Sequence, residues 1–316
     1  MKYVVVVDSM ASVPEHVLKN RDRIKVIPLN ITIGSERFLD PVDNKSLLRF
    51  YSKNRIDAES TVDATSPTHE QIMVHLLNDV VPSYDFAVCQ TTSALLSVVY
   101  ASFDECAQSI DKEAKVLRDM AKISQPFQMH CVNSGTSSSG QTLLALYSDA
   151  ILSKETDMDL CLRKIDQFKS KIRTYSVIKD ILYARKRLKF VGFKSISFAT
   201  AVSKQLRSYS PIIKISNDKL KPTNLKLRYD QATQKVFKYA EDCIDSGLYM
   251  PIINIAYAGL LKELHEMESF KSLQAKAKAN GVTVVSGMMS VAGCINYSPG
   301  SISMGIAPKD EISDPK

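Results

Sequence analysis

The chain reads as an α/β protein in two parts: a parallel sheet with helices on both faces, then a mixed α/β region. Three observations carry this. Short valine- and isoleucine-rich runs alternate with helical patterns over the first half, the rhythm of strands joined by crossover helices. Hydroxyl-rich junctions follow these runs, at Ala64-Thr65-Ser66-Pro67-Thr68, Gln90-Thr91-Thr92-Ser93 and Asn133-Ser134-Gly135-Thr136-Ser137-Ser138-Ser139-Gly140. Each stands where a helix should begin. The rhythm then changes near residues 172–176, which divides the chain into domains 1–173 and 174–316.

Four valines after Tyr3 make a buried first strand ending at Asp8-Ser9. Pro14 suits the first turn of a short helix. Residues 24–29 form a second strand, and residues 31–38 a hairpin around Gly34-Ser35. Residues 45–53 are a helix. Pro67 opens another, reaching about Val80, with Ile72, Leu76 and Leu77 on one face. A strand over 85–89 precedes Thr91-Thr92, after which a long helical region runs through about Met120. A strand over 127–132 leads into the Ser/Gly loop and a helix to about Leu152. A further helix covers 157–172. The second part holds a strand at 175–178, a helix at 180–187 and helix with loops at 190–208. Strands at 211–215 and 224–228 pair through the turn Ser216-Asn217-Asp218. Helices at 231–246 and 260–279 and strands at 252–256, 283–286 and 301–306 complete the pattern. In such parallel sheets ligands bind beyond the carboxyl ends of the strands, and the hydroxyl junctions lie at those ends.

Hydrophobic residues make up 45% of the 316, enough for a core and too many for a disordered chain. No apolar run approaches a membrane span, and the start is too short for a signal peptide, so a cytoplasmic protein is expected. The six cysteines form no CxxC pair and the five histidines are scattered. Reduced thiols and no metal site follow. Residues 163–238 carry twenty Lys and Arg against four Asp and no Glu, within a chain of net charge +7. This stretch is either a solvated basic surface or a docking face for an anionic membrane or protein. No nucleic-acid module accompanies it, so nucleic acid is not an expected partner.

Residues 135–142 read GTSSSGQT, the phosphate-loop pattern with Gln141 where the lysine belongs. Without that lysine the charge of a β,γ-phosphate goes unmet, though the loop could still be an anion nest. No GxSxG elbow occurs, and His130, inside a strand, reads as a packing residue. Asp8, Asp85 and Asp180 read as caps. No catalytic residue is assigned. Thr91-Thr92-Ser93 offers more hydroxyls than one helix cap needs, and the apolar run after it suggests a slot with a polar mouth, suited to a carboxylate with an acyl tail.

The ordered motifs resemble those of the DegV family, whose studied members include the fatty-acid-binding subunits of bacterial fatty acid kinase. Asp8-Ser9, Val26-Ile27-Pro28-Leu29, Ala64 to Thr68, Thr91-Thr92, Asn133-Ser134 with Ser138 to Gly140, Ile181 to Lys186, Pro211-Ile212-Ile213 and Ser298-Pro299-Gly300 fall in that family's order. The resemblance implies a two-domain α/β fold with a long-chain fatty acid held between the domains. It implies no cofactor and no catalysis, and a separate kinase subunit as partner. Carried over by position, Thr65 or Ser66 and Thr92 become head-group contacts, with Thr91, Ser93 and Ser138 beside them. The family's histidine falls on Asn296 and its arginine on Lys189. Its glycine-containing helix start falls on the bulkier Ala94-Leu95-Leu96-Ser97. The competing expectation is a small-anion or phosphate site on the loop 134–140.

Overall fold

The structure is a computed structural model describing residues 2–56, 60–181, 183, 208–224 and 226–315. Residues 190–207 of the helix expected at 190–208, and most of that expected at 180–187, with Lys189, lie outside the described residues.

Strand β1 (Tyr3–Asp8) is buried at every position and pairs in parallel with β2 (Ile24–Ile27) on one side and β6 (Phe86–Thr91) on the other. Strand β7 (Gln128–Asn133) adds beside β6, giving a parallel sheet of order β2-β1-β6-β7. Because side chains alternate along a strand, this sheet buries two faces. Val4, Val6, Ala87 and Cys89 join one core with α3 (His69–His75) and α4 (Val99–Met120). Val5, Val7, Phe86 and Val88 join another with α5 (Ser139–Leu152) and α6 (Met158–Lys169).

A second, six-stranded sheet has the order β10-β9-β8-β13-β11-β12. Its strands are β8 (Arg173–Val177), β9 (Ile212–Ser216), β10 (Lys219–Asn224), β11 (Ile252–Tyr257), β12 (Thr283–Met288) and β13 (Ile302–Ile306). It is mixed: β11 runs parallel to β12, and its other pairings are antiparallel. Helix α5 lies between the two sheets, against β1 and β6 on one side and β11, β13 and β8 on the other. That position explains its sequence, which is buried nearly all round and lacks a polar face.

A third sheet, β4-β3-β5, is antiparallel: β3 (Asn30–Ile33), β4 (Glu36–Leu39) and β5 (Val62–Thr65). The expected hairpin is β3–β4, turning at Gly34 with φ +60°. Strand β5 was not expected; it precedes the Pro67 helix start and is only four residues long with a single buried hydrophobic, in Val62-Asp63-Ala64-Thr65.

Other elements depart from expectation for local reasons. The β9–β10 hairpin turns at Asn217 and Asp218, both with positive φ as a two-residue primed turn requires. Its second strand therefore begins at once, at Lys219, and residues 226–228 lead into helix α7 (Tyr229–Ser246). The expected helix at 260–279 is two: α8 (Leu261–Glu266) and α9 (Glu268–Ala279), broken where Met267 takes an extended φ,ψ of −68°, 121°. Helix α10 (Val291–Tyr297) follows β12 and was not foreseen. His130 is exposed, because β7 is an edge strand. All six cysteines are free, and five are buried. No helix among the described residues is long and apolar enough to cross a membrane.

Candidate functional site

The strand order reverses between β1 and β6, so the chain diverges there and leaves a crevice at their carboxyl ends. Asp8 ends β1 and Thr92 follows β6 in this crevice. One oxygen of Asp8 accepts from the Met10 N–H at 3.0 Å and the Thr92 hydroxyl at 2.9 Å. The other accepts from the Thr92 N–H at 2.6 Å and Gln141 Nε2 at 3.0 Å. Gln141 also donates to the Gln90 carbonyl at 2.9 Å, so the first turn of α5 ties both strand ends together. Burial pushes the Asp8 carboxyl above its ordinary range, against the opposing pull of these donors. The Thr92 hydroxyl has one proton, and Gln141 Oε1 stands 3.2 Å from it as a second acceptor.

Beside Thr92 opens a cavity of about 70 Å³. Met10 and Leu29 line it from the first sheet's crevice, Ala64 and Ser66 from the end of β5, and Leu96 and Ser97 from the segment before α4. The second sheet supplies Ile213, Ile215 and Leu220 from the β9–β10 hairpin, and α10 supplies Asn296 and Tyr297. The lining is thus an apolar body with four polar side chains, Ser66, Thr92, Ser97 and Asn296. The hairpin is fastened across the gap by its turn. Asp218 accepts from the Ser93 hydroxyl and from Asn133 Nδ2 at 2.9 Å, and its N–H donates to the Gly135 carbonyl at 3.0 Å.

Three of the sequence-derived candidates therefore share one cavity: Ser66, Thr92 and Asn296. Thr65 is exposed on the other face of the small sheet, beside Thr68 and Gln71, since successive strand residues face opposite ways. Thr91 is fully buried next to Thr92, and its hydroxyl has no hydrogen-bond partner among the described residues. Ser93 braces the Asp218 turn. Ser138 is buried at φ 48° before α5, away from the cavity lining, with its hydroxyl also unpartnered among the described residues. Asn296 donates to the Ala292 carbonyl at 2.8 Å.

The helix expected directly after Thr92 begins only at Val99. Serine side chains hold the intervening turns instead: the Leu95 N–H donates to the Ser93 hydroxyl at 3.2 Å and the Val99 N–H to that of Ser97 at 3.3 Å. This delay swings Leu96 and Ser97 into the cavity. Asp8 does cap the short turn Ser9–Ala11, as read, but sequence reasoning missed its bonds to Thr92 and to Gln141, the latter read only as a failed lysine. A buried aspartate at a strand end facing a run of hydroxyls was the available signal.

The Ser/Gly loop has no open cradle. Thr136 bonds Thr174 at 2.7 Å, Ser137 meets the Tyr297 hydroxyl, and Ser139 donates to the Ser303 carbonyl at 2.7 Å. A Cβ on Gly140 would stand 2.0 Å from Thr174 Oγ1. The second sheet fills the space a phosphate would need. Among the described residues, no group of three or more His, Cys, Asp or Glu is placed to hold a metal ion.

Comparison with known proteins places the fold. A DegV domain-containing protein of Xanthomonas axonopodis pv. citri is 23% identical over 307 residues, covering 97% of this chain and 98% of its own. Among solved structures, a DegV lipid-binding protein of Thermotoga maritima superposes with a TM-score of 0.76 at 18% identity, covering 99% of this chain and 100% of its own. DegV of Bacillus subtilis, described as a fatty-acid-binding protein, gives 0.74 at 18% identity, covering 98% and 100%. These likenesses establish the fold. The profile of the family described as "uncharacterised protein, DegV family" matches residues 2–309, from the first valine strand to beyond β13. With that match over nearly its whole length, the chain belongs to the DegV family.

Proposed function

We propose that this protein is a carrier for a long-chain fatty acid, held between the first part (1–173) and the second (174–316), with no catalysis of its own. The observation that carries the reading is the cavity itself. It lies at the reversal point of the parallel sheet, is mostly aliphatic, and has hydroxyl and amide groups grouped with the buried Asp8–Thr92 pair. The fatty-acid-binding description of the Bacillus subtilis relative supports it. A cavity of about 70 Å³ takes a head group and the first methylenes. The rest of the chain enters by parting Leu96, Leu220 and their neighbours, an opening offset by about 0.8 kcal/mol for each methylene buried.

Ser66, Thr92 and Asn296 are the proposed head-group contacts, with Thr91 as an additional buried hydroxyl beside them. Thr92 donates to a ligand carboxylate when its proton turns from Asp8, or when Asp8 itself holds a proton and donates to Thr92. Burial of Asp8 favours the latter. The bound acid would be presented, in the cytoplasm, to a separate kinase subunit for acyl-phosphate formation. The basic region around 163–238 would assist contact with that partner or an anionic membrane.

The test is native mass spectrometry of freshly purified protein, with calorimetry using palmitate. Retention of an acyl ligand and saturable palmitate binding are expected. Recovery of no acyl ligand together with no heat of binding would refute the reading. ATP turnover by the isolated chain would count against the purely carrier role.

A further inference from the structure

A groove of about 560 Å³ lies between β4 and α2 (Asn44–Ser52), and it shares no residue with the lipid cavity. We propose that this groove takes an extended, acidic peptide segment of a partner protein, which adds to β4 as a fourth strand of the small sheet.

Strand β4 is an edge, with β3 as its only strand neighbour among the described residues. The Asp40 N–H donates to the Leu29 carbonyl at 2.8 Å, which sets the alternation of closed and open pairs along this antiparallel ladder. The pairs Asn30↔Leu39 and Thr32↔Arg37 are then the open ones. Their consequence is that the main-chain N–H and C=O of Arg37 and Leu39 point away from β3, as a template for another strand. Neither N–H donates to a backbone carbonyl outside the β3–β4 ladder among the described residues. Leu39, on this same edge, is 49% exposed, and it lines the groove together with Phe38 and Phe50.

The helical wall adds the chemistry. Arg49, in the last turn of α2, and Lys53, its C-cap, both line the groove, and neither is in an ion pair among the described residues, whereas Glu36 and Arg55, which also line it, pair with each other. Like charges four residues apart repel. An unpaired strand edge, an exposed leucine and two unneutralised cations therefore converge on one trough. A segment of alternating carboxylate and apolar side chains satisfies all three: backbone to backbone, apolar groups on Leu39 and the two phenylalanines, carboxylates to Arg49 and Lys53. The charge excludes a basic partner, and the four-residue edge sets the length at about four to six residues.

The test uses the full chain and a fluorescein-labelled hexapeptide of alternating valine and glutamate, read by fluorescence anisotropy at low salt. Saturable micromolar binding is expected, and none for the valine–lysine counterpart. The double variant R49A/K53A should weaken it about tenfold. Leu39→Pro removes the edge N–H and should weaken it comparably. Should that variant fail to fold, the unaltered protein with a backbone N-methylated peptide asks the same question, and binding should vanish. Palmitate binding by R49A/K53A should be unchanged, which separates this surface from the lipid reading. No saturable binding up to millimolar peptide would overturn the proposal, as would indifference to R49A/K53A or to N-methylation. So would a preference for phosphatidylglycerol vesicles that depends on the same two cations.

Discussion

Thr92 gives Asp8 both of its donors, the main-chain N–H to one carboxylate oxygen at 2.6 Å and the hydroxyl to the other at 2.9 Å. This pair ties the ends of β1 and β6 together at the point where the sheet reverses. It also places a buried acid directly behind a hydroxyl that lines the cavity. Thr92 is therefore a structural brace and a candidate ligand contact at once, and the two roles are separable by measurement.

Thr92→Val keeps the shape and the main-chain bond but removes the hydroxyl. Losing one hydrogen bond to a buried carboxylate should cost about 1.5–3 kcal/mol of stability, read as a lower urea midpoint. Palmitate affinity should fall about tenfold or more by calorimetry. A variant with reduced stability and unaltered affinity would leave Thr92 as a brace alone.

Filling the cavity tests where the acyl chain lies. Leu96→Trp puts an indole into a space of about 70 Å³ from the irregular segment before α4. Palmitate binding should drop by more than about tenfold, with a stability change within about 1.5 kcal/mol because the added volume enters the cavity that Leu96 lines. Wild-type affinity in this variant would move the proposed site elsewhere.

Asp40 makes stability depend on pH. Its carboxylate accepts from the Ser9 hydroxyl at 2.7 Å and from the Val291 and Ala292 N–H groups at 2.9 and 3.2 Å, fastening α10 to the first part. Burial raises its pKa from 3.8 to about 6, against the opposing effect of those donors. The folded chain then holds this proton more tightly than the unfolded chain does. Its contribution is fully present below about pH 4 and is lost as pH rises through about 6. The stability difference between wild type and Asp40→Asn should change by about 2–3 kcal/mol across that window, with the wild type losing ground as pH rises. Parallel curves from urea titrations at stepped pH would contradict this.

Two glycines should differ for different reasons. A Cβ at Gly305 would stand 2.4 Å from the Ser139 carbonyl oxygen, a backbone atom that cannot swing aside. Gly305→Ala should therefore cost about 3 kcal/mol or more, by pushing α5 off the second sheet. At Gly34 nothing lies within 4 Å, and only its φ of +60° opposes a side chain. Gly34→Ala should cost about 1 kcal/mol. Thermal denaturation of the two variants gives the order, and equal losses would show that α5 is not clamped as described.

The periodic elements were legible because their signal is local. Strand β1 announces itself by four consecutive valines, and the helix that opens after Pro67 by Ile72, Leu76 and Leu77 on one face. The β9–β10 turn was legible from Asn217-Asp218, yet the strand after it was misplaced, because Lys219-Leu220-Lys221-Pro222 has little strand propensity of its own and is held by pairing with β9. The late start of α4 was hidden for a similar reason: Ser93 and Ser97 compete with the helix for its own N–H groups, and propensity alone does not decide that contest.

What the chain's order of residues determined by itself was the alternation of strands and helices, and hence a parallel sheet with hydroxyls at its carboxyl ends. It also marked Thr92, in the run Thr91-Thr92-Ser93, as a candidate, while Ser66 and Asn296, far apart in the chain, entered through the resemblance to the DegV family. Only the tertiary structure decided that the three line one cavity, that Gln141 serves Asp8 in place of a phosphate, and that the Ser/Gly loop is packed shut. The reason is physical. Periodicity and capping are interactions between near neighbours, whereas a cavity is the space left when elements distant in sequence pack against one another. The width of that space here is set by the Asp218 turn resting on Ser93 and Asn133.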